Sequence, residues 1–210
     1  MTQGQWYRLR PLGPAGLLVE LDEPGMRRRL HQALLADPVE DVVELVPAQH
    51  TVAVQCRDEA ALERAASHIE RLLVTGLDEA DRTASEPVTI EVRYDGADLA
   101  EVARIVGISP AEVVARHTGQ LWTVEFAGFM PGFGYLSGES GGLTVPRHET
   151  PRTRIPAGSV ALAGDLTGIY PQASPGGWQL VGTTDARLWD VERQPPALLV
   201  PGARIRFEAV

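Results

Sequence analysis

Apolar and polar positions alternate in short blocks over the first 56 residues, with one interruption of helical spacing. Trp6–Leu12 and Gly16–Leu21 read as extended segments, and Met26, Leu30, Ala33 and Leu34 then fall on one face of a helix that follows Pro24. Val39–Val46 and His50–Cys56 return to strand patterning, with Val52, Val54 and Cys56 at period two. Cys56 therefore points with two valines, which is the position of a core thiol and not of a nucleophile. Asp58 is placed to cap a second helix whose stripe is Leu62, Ala65, Ala66, Ile69, Leu72 and Leu73, with Gly76 just past its end. Residues 77–86 are acidic and unpatterned, as in a connector, before Val88, Ile90 and Val92 alternate as a strand. The order β-α-β-β-α-β predicts an open sheet with helices on one face, a layer that serves as scaffold or interface.

Two short helices come next. The first runs from Ala97 to Val106 and ends at Gly107; the second runs from Pro110 to His117 and ends near Gly119. Ser109 stands as N-cap of the second, with Pro110 in its first position and Glu112 where a capping box needs a carboxylate. Beyond the Leu121–Phe126 strand the texture changes. Gly and Pro become dense, and short strands recur at Ser159–Ala163, Gln179–Val181 and Arg204–Glu208, the pattern of a compact β barrel or sandwich. The predicted class is α+β, with an N-terminal α+β domain over 1–86 and a β domain over 87–210.

Composition narrows the function. The chain has 210 residues, 44% of them hydrophobic, which suits a globular protein with a real core. Its apolar runs fall far short of the roughly 20 residues that cross a membrane, and the first ten residues hold no signal-type apolar stretch, so a cytoplasmic location is expected. A net charge of -9 argues against nucleic-acid binding. All 19 basic residues are arginines. Without lysine the chain cannot carry a Walker A motif, a Schiff-base nucleophile or attached biotin, so any ATP or biotin chemistry draws on another chain. No metal-ligand cluster and no recognisable catalytic triad stands out.

The candidate chemistry lies in three Gly- and Pro-rich stretches. In Gly128–Leu136, Phe129, Phe133 and Tyr135 are separated by turn-forming residues, so their rings either wall a cleft or plug one end of the barrel. In Pro146–Ser159, Arg147, Arg152 and Arg154 lie between prolines that limit chain freedom. Guanidinium groups held this way suit bidentate contact with carboxylate or phosphate, against the alternative of solvated surface charge. His148 beside Glu149 is an acid-base candidate or a surface residue. Tyr170 and the run Ser174-Pro175-Gly176-Gly177-Trp178 add flat rings beside exposed backbone N–H groups, which could hold an anionic or planar ligand.

Taken in order, Phe129-Met130-Pro131-Gly132-Phe133, Pro151-Arg152, Ile155–Val160, Thr167–Pro171, Ser174–Trp178 and Pro201-Gly202 resemble the allophanate hydrolase subunit 1 family. That family includes subunits of 5-oxoprolinase, a sporulation-kinase inhibitor and half of the carboxyltransferase domain of urea carboxylase. The resemblance implies a cyclophilin-like β barrel after the N-terminal domain, and a partner of the subunit 2 or C type that shares the active cleft. It implies an ATP-dependent 5-oxoprolinase subunit, inactive alone, that helps open a lactam; ATP is shared with partner subunits and biotin is not attached here. A biotin-dependent carboxyltransferase half and a kinase-inhibiting binding protein stand as alternatives. The expected anion contacts are Arg147, His148, Arg152, Arg154, Ser174, Gly176 and Gly177, with Arg152 leading because it sits in the family's Pro-Arg motif. The cleft walls are Phe129, Phe133, Tyr135, Tyr170 and Trp178. Leu166 stands where the family has glutamine, and Thr183 where it has arginine.

Overall fold

A computed structural model describes residues 6–23, 25–77, 86–141 and 143–210. Most of the expected connector, 78–85, lies outside them, as does Pro24. The elements in chain order are β1 (Tyr7–Pro11), β2 (Gly16–Leu21), α1 (Met26–Ala36), β3 (Val42–Pro47), β4 (Thr51–Cys56), α2 (Glu59–Thr75), β5 (Val88–Val92), α3 (Leu99–Val106), α4 (Pro110–Thr118), β6 (Trp122–Ala127), β7 (Gly134–Gly138), β8 (Arg152–Ile155), β9 (Ser159–Ala163), β10 (Leu166–Ile169), β11 (Ser174–Gly176), β12 (Gln179–Thr183) and β13 (Arg204–Ala209). The chain divides into two compact units, 1–84 and 85–210.

The first unit is an antiparallel sheet in the order β1-β2-β4-β3, covered by α1 and α2. Period-two burial explains the layer. Leu17, Val19 and Leu21 of β2 and Val52, Val54 and Cys56 of β4 share one core with Leu30 and Leu34 of α1 and Ala61, Ala65, Ile69 and Leu73 of α2. Asp58 caps α2 by accepting from the Ala61 N–H at 2.8 Å. Burial in this core pushes the Cys56 thiol up, which disfavours the reactive thiolate.

The order within this unit is ββαββα, which differs from the expected β-α-β-β-α-β series. The last strand of that series, β5, belongs to the second unit, where it runs parallel to β13 in register from Val88↔Ile205 to Val92↔Ala209. Ile90 and Val92 alternate because they enter the second unit's core. Alternation reports a buried face; it does not say which sheet owns it.

The second unit is built on a seven-stranded sheet in the order β12-β9-β10-β7-β6-β13-β5. Its two edges meet at a bridge in which Arg93 and Thr183 exchange backbone hydrogen bonds of 2.8 Å each, so the sheet closes into a nearly complete barrel. Gly182 permits the approach: a Cβ there would lie 2.5 Å from the Arg93 carbonyl oxygen. Thr183, where the resemblance implies an arginine, thus sits in the seam, where its hydroxyl donates to Asp95 at 2.9 Å. Ser109 caps α4 as expected, accepting from the Glu112 N–H, while the Glu112 carboxylate pairs forward with Arg116.

Every residue of β9 is buried. Val160 and Leu162 enter one core with α3 and α4, and Ala161 and Ala163 enter a second with Phe133, Tyr170 and Trp178. The strand therefore separates two apolar layers, which is why Val160–Ala163 reads as a continuous apolar run. The antiparallel ribbon of β8 and β11 is a separate two-stranded sheet.

One polar chain crosses the larger core. Thr167 donates to the Ala161 carbonyl, so its oxygen is left to accept from His117 Nε2–H at 3.0 Å, and Tyr94 donates to His117 Nδ1 at 2.7 Å. Burial pushes His117 down to about 3 from an ordinary 6.5. The folded protein therefore holds His117 neutral while the unfolded chain protonates it below pH 6.5, so this stabilisation is complete above that value and is lost as pH falls towards 3. The expected slope is about 1.4 kcal/mol per pH unit. Denaturant unfolding at pH 7 and pH 5 should show the wild type losing about 2 kcal/mol more than His117→Gln over that interval; equal losses would mean that His117 is not the titrating group.

Candidate functional site

Phe133 is the centre of an aromatic nest. Its ring meets Trp178 at 5.6 Å, Tyr170 at 5.4 Å, Tyr135 at 5.0 Å and Phe129 at 5.4 Å, all edge to face. Gly168 makes room for it, since a Cβ there would stand 2.9 Å from Phe133 Cζ and 3.1 Å from Trp178 Cζ3. Phe129 takes a left-handed backbone conformation (φ 67°) and stays 60% exposed, an unfavourable state for an aromatic residue that the turn around it enforces. That turn is closed by hydrogen bonds from Met130 N to Gly128 O and from Phe133 N to Met130 O.

These rings line a small open pocket of about 100 Å³ together with Arg147, Pro175, Gly176 and Gly177. All five expected wall residues are there, with three of the seven expected anion contacts: Arg147, Gly176 and Gly177. The Arg147 guanidinium lies 5.8 Å from the centre of the Trp178 ring. Its main chain is held on both sides, because Gln179 Nε2 donates to the Pro146 carbonyl at 3.0 Å and the His148 N–H donates to the Gly177 carbonyl at 2.7 Å. Among the described residues no carboxylate pairs with Arg147. Burial raises the Tyr135 and Tyr170 phenols, and Arg147 offsets part of that rise. Both phenols are therefore protonated at neutral pH and able to donate a hydrogen bond.

The other expected contacts are placed differently. Arg152 Nη2 donates to Asp98 Oδ1 at 2.6 Å, and His148 Nε2 stands 3.2 Å from Asp98 Oδ2, which also accepts from the Leu180 N–H at 2.7 Å. Burial pushes the Asp98 carboxyl up, but the hydrogen bonds from Arg152 and the Leu180 N–H, with the His148 imidazole beside it, outweigh that and hold the group below the usual carboxylate range. Arg152, expected to lead anion binding, thus has its charge matched inside the protein, while its Nη1 is buried with no hydrogen-bond partner among the described residues. Ser174 is on the ribbon with its hydroxyl buried and unbonded, and Arg154 is exposed on β8; neither lines the pocket. Leu166 packs beneath the rings and also stays outside the lining.

Asp98 is the residue that the sequence did not single out. An Asp just before a helix reads as an N-cap, and nothing local marks Arg152, 54 positions away, as its partner.

Comparison with known proteins follows the same course along the chain. The family model for the carboxyltransferase domain, subdomain C and D, matches residues 7–199. The B-type subunit of 5-oxoprolinase from Escherichia coli O157:H7 is 40% identical over 206 residues, 93% of this chain and 93% of that protein. The crystal structure of TTHA0988 superimposes with a TM-score of 0.76 at 36% identity over 97% of this chain, which spans 40% of the length of that one. The Kluyveromyces lactis urea carboxylase has the same fold, with a TM-score of 0.71 at 19% identity over 97% of this chain and 22% of its own.

The nest makes a direct prediction. Gly168→Ala should destabilise the protein by about 1–3 kcal/mol through overpacking against Phe133 and Trp178. Gly177→Ala, whose nearest new contact would be an ordinary 3.4 Å, should change stability by less than about 0.5 kcal/mol. Chemical denaturation with near-UV circular dichroism reads both, and equal effects would remove Gly168 as the seat of the rings.

Proposed function

The chain belongs to the family of carboxyltransferase-domain subdomains C and D, and on that premise we propose that it is a subunit of an ATP-dependent 5-oxoprolinase that works with a partner of the subunit 2 or C type in the cytoplasm. The observation that carries this reading is the 40% identity to the B-type subunit of a 5-oxoprolinase across 93% of both chains. The pocket supports it chemically. A five-membered lactam bearing one carboxylate is a small flat ring with one negative charge. Phe133, Tyr135 and Trp178 offer faces and edges to the ring, Arg147 a fork to the carboxylate, and the Tyr135 and Tyr170 hydroxyls donors to the lactam oxygen.

Opening the lactam requires loss of amide resonance and a nucleophile. The lining supplies neither a carboxylate nor a thiol, and its phenols stay protonated. This chain's part is to bind and orient the lactam, with the activating chemistry on the partner subunits. A pocket of about 100 Å³ lined by a single guanidinium does not fit a triphosphate, so ATP would be held by other surfaces of the complex. Nor can biotin be attached to a chain without lysine.

The purified chain should release no glutamate from 5-oxoproline and ATP, while co-expression with its subunit 2 type neighbour should give one co-purifying complex that does. In that complex Arg147→Ala should lower kcat/KM for 5-oxoproline by about one to two orders of magnitude, as expected for losing a charge-assisted contact of roughly 1.5–3 kcal/mol. Turnover by the isolated chain at about 1 per second or more, or a wild-type kcat/KM in the Arg147→Ala complex, would sink the reading.

A further inference from the structure

Asp98 stands at the N-cap of α3, yet its carboxylate makes no capping bond there. An aspartate in that place ordinarily accepts from the first turn of its own helix. Here it reaches across to Arg152 and the Leu180 N–H, with His148 Nε2 3.2 Å away, and the Asp98 N–H donates in turn to the Leu180 carbonyl at 2.9 Å. The segments it joins are those that frame the pocket. His148 follows Arg147 directly, Arg152 is paired across the ribbon with Gly176, and Leu180 lies two residues beyond Trp178. With its side chain only 8% exposed, the carboxylate is shielded from water, so its hold on Arg152 is stronger than that of a surface pair.

We propose that Asp98 is the positioning residue of the aromatic pocket: it fixes Arg147 against Trp178 and keeps Arg152 from competing for a ligand's carboxylate. Without the charge at Asp98, the half-buried Arg152 cation has no counter-ion among the described residues and is drawn towards the anion that Arg147 binds. His148 Nε2 also loses the carboxylate 3.2 Å from it, so the loop carrying Arg147 is left with its backbone bonds at Val145, Pro146 and His148. The inference rests on the carboxylate-binding reading above, but its first test needs no ligand.

In the full-length chain the Arg147 Nε–Hε resonance, identified by its absence in Arg147→Lys, should be shifted upfield by the Trp178 ring. Asp98→Asn should remove at least about half of that shift, and Asp98→Glu, which keeps the charge but displaces it by one methylene, should give an intermediate value. Should the Asn variant fail to fold, the Glu variant decides. A wild-type Arg147 resonance in every folded variant overturns the proposal. In the assembled complex, Asp98→Asn should raise KM about tenfold for 5-oxoproline, as for one weakened charge-assisted contact, and leave that for the uncharged 2-pyrrolidinone unchanged. Equal losses on both compounds would mean a general structural role and would also overturn it. If wild-type complex turns over neither compound, the 5-oxoproline reading has failed, while the resonance still tests Asp98.

Discussion

The rings of Phe133 and Trp178 can meet only because no side chain stands at Gly168. Gly168 is paired across the ladder with Ala161, so these two neighbouring strands present small residues where the rings rest. On the opposite face of β9, Val160 and Leu162 fill the larger core. Large residues on one face and small ones on the other let one strand serve both layers. The pocket follows from this asymmetry: the rings settle on the small-residue face, and the ribbon carrying Gly176 closes over them, so near that a Cβ on Gly176 would stand 2.5 Å from the Tyr170 hydroxyl.

Charge is arranged with the same economy. Two arginines flank the rings, and their environments give them different chemistry. Arg152 is bound to a shielded carboxylate and is part of the scaffold. Arg147 lies over a ring with no carboxylate partner among the described residues and, on the proposed reading, is the group that meets the anion. A pair of equally free guanidinium groups would favour a dianion; one matched and one unmatched favour a ligand with a single negative charge.

The fold class was legible because local signals agreed with the final packing: the caps at Asp58 and Ser109, the helical stripes, and the Gly- and Pro-punctuated short strands. What the sequence hid was long-range. The strand at Val88–Val92 shows its buried face but not the parallel pairing with β13, more than a hundred residues away. The gathering of the rings was legible because aromatics set among turn-forming Gly and Pro resist any regular pattern, and all five meet in one pocket. The pairing of Arg152 was not. Pro151 and Arg152 look like a rigid anion contact, and only the folded chain shows the carboxylate already in place.

On the proposed reading, the division between binding and chemistry follows from the direction in which the pocket shifts its phenols. A phenol becomes a nucleophile or base only as phenolate, and the surroundings of Tyr135 and Tyr170 push the other way, with burial outweighing the pull of Arg147. A protonated phenol can still donate a hydrogen bond to a carbonyl oxygen that gains negative charge as an amide bond breaks, and such a donor stabilises the transition state more than the ground state. On the proposed reading, the two tyrosines and Arg147 would hold the lactam by its two polar ends, its oxygen and its carboxylate. The attacking group would then arrive from a partner surface at the open side of the pocket, where Phe129 stands exposed.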